Sequence, residues 1–334
     1  MMKKKITLLL FAFWTTVSFG QIDLGTILEG GTNDANAYLK GYLSPITTGF
    51  GHGINGGWYS TAKAHKFLGF DIKVIATGAI VPKEGESFTF RNADFTNIKI
   101  DDTNLSSVEI PTILGSQKLA DRPLLEFSNG GNSISISSLP GSGLKEEIGQ
   151  NIVPSAMVQL GVGLWKNTDV KIRFVPEQKQ PEFEFSTFGI GVMHDIKQWI
   201  PFVKRLPFDV SVLAAWNDVK SKFYMDHKNN PSQALEMNTK TTMFQLVASK
   251  KFLFLTVFGG VGTSSYTSDV NVLGTFKTKN TGQTYTDPVA LNYSGSGFRG
   301  NLGLNVKLLF LNISADYAIQ EYNTFTATVG FTFR

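Results

Sequence analysis

The last ten residues of the chain alternate strictly between apolar and small or polar side chains. Successive side chains of a β-strand point to opposite faces, so an extended FTATVGFTFR segment would have one apolar face. Such a strand suits the wall of a transmembrane β-barrel, which has lipid outside and a polar lumen inside. The apolar positions are Phe325, Ala327, Val329, Phe331 and Phe333.

The same alternation recurs in about eleven segments of the chain. It is clearest over 301–308, 311–320, 155–164 and 170–174. Short connections join these segments, which predicts an antiparallel meander rather than parallel units with long crossovers. Bacterial barrels have an even number of strands, and weak strands within 87–100, 133–138 or 284–293 would bring the total to about 14, with 12 as the alternative.

The pattern therefore predicts an all-β fold, a transmembrane antiparallel up-and-down β-barrel formed by residues 55–334. A mean hydropathy of −0.02 beside 12% aromatic residues fits strands with one apolar and one polar face. A secreted two-sheet sandwich would show the same pattern and is the alternative. The net charge of +4 falls to +1 without the three lysines at positions 3–5, so the alkaline pI does not indicate nucleic-acid binding.

The N-terminus has the three parts of a secretory signal peptide. Lys3–Lys5 are basic, Ile6–Trp14 are apolar, and Ser18-Phe19-Gly20 precede a predicted cleavage ahead of Gln21. The chain has no cysteine, so we expect neither a lipid anchor nor disulfides. Residues 1–20 are thus predicted to direct the mature protein to the outer membrane of a Gram-negative bacterium.

A helical pattern precedes the first predicted strand. Apolar residues of Asp34–Leu43 recur at helical spacing, and Ser44-Pro45 predicts the end of the helix. Within residues 21–54 this helix is predicted to be a lumen plug, with a periplasmic cap or a strand-like lead-in as alternatives. The predicted lumen contacts are Tyr38, Leu39 and Tyr42. The glycine-rich stretch 49–57 lacks a P-loop lysine and is interpreted as a flexible lead-in to the barrel.

The span 82–151 is polar, contains three prolines and alternates only weakly. Long connections in bacterial barrels lie on the extracellular side, so this span is predicted to be an extracellular insertion. It is a candidate for gating or surface recognition, and a passive loop over the barrel mouth is the alternative.

A short amphipathic connector is predicted over His194–Val203, where Pro201 and Pro207 limit any helix to about two turns. Trp199 and Phe202 are residue types that settle at a membrane–water boundary. An interfacial helix at the periplasmic rim is therefore predicted, with a buried turn as the alternative.

Enzymatic chemistry is not predicted. Some barrels hydrolyse lipids with a Ser–His pair, but none of His52, His65, His194 and His227 lies beside a nucleophile signature. The sequence therefore predicts no catalytic, cofactor-binding or metal-binding residue.

The stretches VPSAMVQLGVGLWKNTDVKIRFVPE and FGIGVMHDIKQWIPFVKRLPFDVSV, within Val153–Val219, resemble the central part of a family of exported proteins of Gram-negative bacteria. That family is similar to outer-membrane barrels of the long-chain fatty-acid transporter type. The resemblance implies a monomeric barrel, commonly 14-stranded, with an N-terminal plug, through which hydrophobic small molecules pass.

Two functions follow from these patterns. The first is an outer-membrane channel or transporter for hydrophobic or small organic solutes. The second is a barrel-anchored structural or adhesive surface protein that works through residues 82–151. Expected partners are outer-membrane lipid, hydrophobic small molecules and the barrel-assembly machinery during insertion, without nucleic acid and without a cofactor.

Overall fold

The computed structural model describes residues 24–129, 132–200 and 207–333, so the predicted signal peptide and its cleavage site lie outside the described residues. Three α-helices occur in this part of the chain: α1 (Leu24–Ile27), α2 (Gly31–Gly53) and α3 (Leu144–Ile148). We call α2 the lumen helix. None of the helices in the described ranges is both long enough and apolar enough to cross a bilayer.

Seventeen strands occur in the described residues. They are β1 Phe70–Ile80, β2 Ser87–Arg91, β3 Ile98–Ile100, β4 Ser107–Pro111, β5 Leu124–Asn129, β6 Asn132–Ser137, β7 Ile152–Leu164, β8 Thr168–Lys179, β9 Phe183–Asp195, β10 Asp209–Asp226, β11 Asn230–Phe252, β12 Leu255–Leu273, β13 Thr275–Lys277, β14 Thr284–Thr286, β15 Val289–Leu308, β16 Leu311–Ile319 and β17 Thr324–Phe333.

Ten of these strands close into a barrel in the order β1-β17-β16-β15-β12-β11-β10-β9-β8-β7. Every neighbouring pair is antiparallel, and β1 pairs with both β17 and β7. This confirms the predicted all-β, antiparallel up-and-down barrel. The described ring holds fewer strands than the predicted 14 or 12, because most of the weak strands expected within 87–100, 133–138 and 284–293 form small separate sheets.

The barrel has two different ends. At one end, which we call the short-turn end, connections such as Leu253-Phe254 and Leu309-Phe310 are two residues long, and β17 ends there. Between the described strands, the connection 196–208 is the one long connection at this end. At the other end, the loop end, the two longest connections of the ring occur, residues 274–288 and residues 81–151, which we call the cap. The two ends therefore differ as the two ends of outer-membrane barrels do.

The wall near the short-turn end is apolar outside and polar inside. In β17, Phe325, Val329, Phe331 and Phe333 are exposed, whereas the threonines at 324, 326 and 328 are buried. The predicted orientation of this strand is confirmed. A soluble protein would bury its apolar side chains and expose its polar ones, so the outer face of this part of the barrel is suited to contact with lipid.

Exposed aromatic side chains form two groups around the barrel. Phe325 in the upper group and Phe333 in the lower group stand on one strand, eight residues and about 26 Å apart along it. Aromatic girdles flank the apolar band of membrane barrels in this way. The lower group contains Phe67, Trp165, Trp199, Phe254, Phe310 and Phe333, and the upper group contains Phe174, Phe188, Phe244, Phe298 and Phe325.

Beyond the upper group, the polarity of the wall reverses along the same strands. On the outer face of β15, Phe298, Leu302 and Leu304 give way to exposed Ser294 and Asn292 towards the loop end. On the inner face, polar positions are replaced by buried apolar ones, Val289, Leu291 and Tyr293. The long strands therefore continue out of the membrane as the wall of a water-soluble fold.

The cap is folded rather than a passive loop. It contains a two-stranded sheet, β2-β4, and a three-stranded sheet, β3-β5-β6. Its side chains share one apolar core with the lumen helix and the inner wall at the loop end, including Phe90, Ile110 and Leu125. The carboxylate of Asp34 in the lumen helix accepts hydrogen bonds from the backbone N–H groups of Thr96, Asn97 and Ile98. Cap and helix therefore form a single packed unit.

The lumen helix is longer than predicted, because Pro45 does not end it. The helix runs from Gly31 to Gly53 with Pro45 inside. Proline removes one backbone donor and crowds the carbonyl four residues earlier. Here the Thr47 hydroxyl donates to the Ser44 carbonyl at 2.8 Å, and the Tyr42 carbonyl accepts the N–H of Ile113 in the cap at 3.0 Å. The cap and a neighbouring hydroxyl thus satisfy carbonyls around the interruption.

The helix lies inside the ring, where it contacts β1, β7, β11, β12 and β15. Its glycines allow this close approach. A β-carbon at Gly49 would come within 2.6 Å of Val153 on β7, and one at Gly51 within 2.5 Å of Tyr266 on β12. These strands lie opposite each other in the ring. The glycine-rich stretch is therefore a tightly packed crossing of the lumen, in contrast to the predicted flexible lead-in.

The predicted connector over His194–Val203 is described only as far as residue 200. His194 and Asp195 end β9, and a single 3-10 turn follows at Lys197–Trp199. Residues 201–206 lie outside the described part of the chain, and Phe202 with them. Trp199 is 60% exposed at the short-turn end, among the lower aromatic group.

The position of the lipid band predicts the effect of a charge on the outer wall. Leu304→Arg should reduce the free energy of unfolding by about 2–4 kcal/mol, because Leu304 is exposed and lies midway between Phe298 of the upper group and Phe310 of the lower group. Ser294→Arg, on the same face beyond the upper group, should change it by about 0–1 kcal/mol. Urea unfolding in lipid vesicles, followed by tryptophan fluorescence, measures both. Equal costs at the two positions would contradict the assigned band.

The close crossing predicts the effect of a single methyl group. Alanine normally stabilises a helix relative to glycine by about 1 kcal/mol. Gly51→Ala should nevertheless destabilise the packing of the helix in the lumen by about 1–3 kcal/mol, because the added methyl group would overpack against Tyr266. The rate of protease cleavage within residues 24–66 of the folded barrel measures this. Gly297→Ala is the matched control, because a β-carbon there meets nothing within 4 Å. Equal cleavage rates in the Gly51→Ala and Gly297→Ala proteins would show that the helix has space for a methyl group at position 51.

Candidate functional site

Residues 24–66, which we call the lumen segment, run through the barrel from the loop end to the short-turn end. At the loop end, the buried carboxylate of Glu29 accepts hydrogen bonds from the N–H of Asn280 and the hydroxyl of Thr281. At the short-turn end, the N–H of His65 donates to Asp169 at 2.9 Å. The segment then turns directly into β1, so the lumen is crossed by a stretch tied to the wall at both ends.

The predicted lumen contacts lie in the half of the segment nearest the loop end, and all three are buried. The hydroxyl of Tyr38 accepts the N–H of Leu139 in the cap, and that of Tyr42 donates to the Pro140 carbonyl. The backbone carbonyl of Leu39 accepts the hydroxyl of Tyr293 on β15. Burial raises the pKa of Tyr38 and Tyr42 well above the usual tyrosine value, so both stay neutral. Two of the three side chains thus bind the cap rather than a free lumen.

Arg173 on β8 is the strongest contact between the wall and the other half of the segment. Its guanidinium donates to the backbone carbonyls of Ile54 and Gly56, each at 2.6 Å, and to the Gln159 side chain at 3.1 Å. It also stacks 3.7 Å from the centre of the Trp58 ring. Arg173 is fully buried, and no carboxylate lies within ion-pair distance among the described residues. The arginine therefore depends on the lumen segment for its partners.

Neutral side chains make the other contacts with this half. The hydroxyl of Tyr59 donates to Asn301 at 2.6 Å and to Gln245 at 3.1 Å. Thr241 donates to the Asn55 side chain at 2.8 Å, and Ser211 donates to the Ala62 carbonyl at 2.6 Å. These wall residues lie on β10, β11 and β15, so the segment is held from several directions by hydrogen bonds.

Several inward-facing polar atoms have no protein partner among the described residues. They include the hydroxyls of Thr77, Ser155, Thr187 and Thr326. Three of them face the glycines of the segment: Ser155 lies beside Gly53, and Thr77 and Thr326 lie beside Gly56. Buried polar groups are satisfied by protein or water. The lumen segment leaves these hydroxyls without a partner, so they are available to bind water.

An ion-pair network holds the segment at the short-turn end. The Nδ1 of His65 lies 3.0 Å from Asp169, and its Nε2 lies 3.4 Å from Asp71. Lys73 pairs with Asp71 at 2.9 Å, and Lys171 pairs with Asp169 at 3.4 Å. The histidine thus bridges two carboxylates of the wall.

The other histidines are separate from this network. His52 lies 3.3 Å from Glu321, His194 contacts Thr168 and Trp199, and His227 packs against Tyr224. Across residues 24–129, 132–200 and 207–333, no group of three or more His, Cys, Asp or Glu side chains is arranged to hold a metal ion.

Arg173 and Lys171 were not among the predicted site residues, although the sequence carries a signal for them. They alternate with Val170, Ile172 and Phe174 in a strand whose apolar face points to lipid. In a strand whose outer face contacts lipid, two successive inward-facing residues with a positive charge indicate that the lumen wall is charged there. Lys171 pairs with Asp169 of the same strand, whereas Arg173 binds carbonyls of the lumen segment, which no local pattern reveals.

Comparison with solved structures finds outer-membrane barrels at low similarity. Ail of Yersinia pestis is 8% identical with a TM-score of 0.24, covering 80% of this chain and 100% of Ail. The translocator domain of the autotransporter NalP from Neisseria meningitidis is 10% identical with a TM-score of 0.30, covering 81% of this chain and 90% of that domain. OmpT of Vibrio cholerae, as a loop-deletion mutant, is 10% identical with a TM-score of 0.23, covering 79% and 98%. TM-scores this low carry no argument about function.

No curated protein matches the chain. A family of unknown function, DUF6588, matches residues 2–333. Because this match spans nearly all of the sequence, together with the barrel that residues 70–333 form, the chain belongs to the DUF6588 family and is an outer-membrane-type β-barrel.

Proposed function

We propose that the protein is a gated channel of the outer membrane, closed by the lumen segment and opened when residues 54–66 leave the inner wall. The observation that carries this proposal is the inner wall in the lipid band. It is largely polar, apart from an apolar patch that faces Trp58 and Tyr59. Several of its hydroxyls have no protein partner among the described residues although the segment lies against them. A wall of this kind suits water, which would replace the segment in an open pore.

The two halves of the lumen segment are held by different forces. The half nearest the loop end shares an apolar core with the cap, and exposing such a core to water is costly. The other half is held by hydrogen bonds, each of which water can replace at a net cost of about 0.5–1.5 kcal/mol. It also packs into a second apolar cluster, much smaller than the core at the loop end, in which Trp58, Tyr59 and Ala62 meet wall residues such as Leu213, Met243 and Phe258. Residues 54–66 are therefore the part of the closure that can be released while the fold stays intact.

The ends of the barrel give the orientation of the proposed channel. Short turns face the periplasm in bacterial barrels and longer loops face outward. The short-turn end would then open to the periplasm, and the cap would cover the outer mouth together with the lumen helix.

Polar or charged small solutes fit this inner wall best. Passage of hydrophobic solutes, as the resemblance to fatty-acid transporters implies, stays a prediction, and so does a surface-binding role of the cap. The packing of the cap on the lumen helix supports a part in closure.

A disulfide between segment and wall tests the proposal. A β-carbon at Gly56, within the stretch proposed to move, would lie 2.7 Å from the hydroxyl oxygen of Thr326 on β17. Cysteines at these two positions are therefore within reach of the spacing of about 3.8 Å between β-carbons in disulfides. The chain has no other cysteine. The variant Gly56→Cys/Thr326→Cys should therefore form one defined cross-link. In planar bilayers, the oxidised variant should show no channel openings, and reduction should restore those of the wild type.

Each single-cysteine variant is a matched control, which should conduct like the wild type under both redox conditions. Openings of equal frequency in the oxidised and reduced double variant would show that solute does not need the segment to move. Solute would then pass by another route, and the proposed gate would be excluded.

A further inference from the structure

A cavity of about 250 Å³ opens at the short-turn end of the lumen. Residues 60–66 of the lumen segment form one side, and inward-facing residues of several wall strands form the other. We call it the basic chamber, because six lysines line it: Lys63, Lys66, Lys73, Lys171, Lys251 and Lys307.

The chamber concentrates positive charge. Only two carboxylates, Asp71 and Asp169, line it beside the six lysines, which leaves a formal charge of +4 with His65 neutral. The whole 334-residue chain also has a formal charge of +4, and three of its lysines are at positions 3–5. The described residues as a whole carry a formal charge of −1, and those outside the chamber carry −5. Positive charge is thus gathered at one mouth of the barrel.

The two carboxylates neutralise only the innermost lysines. Lys73 and Lys171 are almost fully buried and pair with Asp71 and Asp169. The remaining four lysines have no carboxylate within 4 Å among the described residues. Lys307 is close enough to Lys251 and Lys73 to interact with their charges. Like charges held together beside a membrane repel one another, and a bound anion relieves that repulsion.

The chamber also supplies uncharged groups suited to an anion. Ser60 and Thr61 place hydroxyls on the segment side, and the wall adds Thr256 and Asn312. Ammonium groups bind phosphate as point charges, and hydroxyl and amide donors complete such sites. A phosphate-bearing molecule of small size fits both the volume and the donors.

We propose that the basic chamber binds a small, multiply charged anion of the phosphate class at the short-turn end of the lumen. The unpaired Lys251 and Lys307 on the wall and the lysines of the lumen segment contact it from opposite sides. This binding does not depend on channel opening, because the chamber exists with the segment in place.

The test uses pyrophosphate as the probe and the oxidised Gly56→Cys/Thr326→Cys protein in phosphatidylcholine nanodiscs, so that release of residues 54–66 from the wall plays no part. Isothermal titration calorimetry should show saturable binding that weakens as salt is added. Adding Lys251→Gln and Lys307→Gln should weaken binding at least roughly tenfold, because each charged hydrogen bond lost is worth about that factor.

The matched control is Lys220→Gln/Lys240→Gln, which removes two exposed lysines from the outer face of β10 and β11. It should bind pyrophosphate like the parent protein. Both lysines changed in the chamber are at least partly exposed, so these variants should keep the heat-modifiable gel mobility of a folded barrel.

The source of the phosphate is distinguished by adding phosphatidylglycerol to the nanodiscs. Weaker pyrophosphate binding there would identify lipid headgroups as occupants of the chamber, and unchanged binding would identify a soluble phosphate compound. Both results support the site. Absence of saturable pyrophosphate binding, or equal binding by the Lys251→Gln/Lys307→Gln protein and its parent, would overturn it.

Discussion

Each strand of this barrel separates two media, and the rest of the structure depends on that constraint. In the lipid band, apolar side chains face outward and polar ones face the lumen. Beyond the upper aromatic group, the same strands face water, and their polarity reverses. The lumen helix and the cap follow from this reversal, because an inward apolar wall at the loop end needs an apolar partner to cover it.

The reversal also divides the closure of the barrel into two halves. At the loop end, helix, cap and wall form one core of the kind found in soluble proteins. Deeper in the lumen, the segment meets a largely polar wall with one apolar patch around Trp58 and Tyr59. The buried guanidinium of Arg173 is satisfied there by backbone carbonyls rather than by a carboxylate. A buried charge paired this way keeps its charge with or without the segment, provided that water can reach it. The lumen segment thus has a permanent contact with the cap and wall at the loop end and a replaceable contact with the wall deeper in the lumen.

The strand pattern was predictable from sequence, because lipid and lumen impose a strict period of two on β16 and β17. The strand number of the ring was not, since the weak alternation within residues 87–100 does not show whether a strand joins the ring or the cap. Tyr38, Leu39 and Tyr42 lie buried on the lumen helix, in line with the helical spacing of apolar residues there, and their role as lumen contacts stays a prediction. The tight packing at Gly51 and the partners of Arg173 escaped prediction, because each depends on a contact between residues more than a hundred positions apart.

The place of β1 in the ring has a consequence for the order of folding. The ring strands from β7 to β17 follow one another, whereas β1 lies next to β7, across the cap, and to β17, at the far end of the chain. Contacts between such distant residues form slowly, so β1 is expected to complete the ring last. The lumen segment is joined directly to β1. The pairing of β1 with its two neighbours is therefore expected to close the ring and enclose the helix in the same folding step.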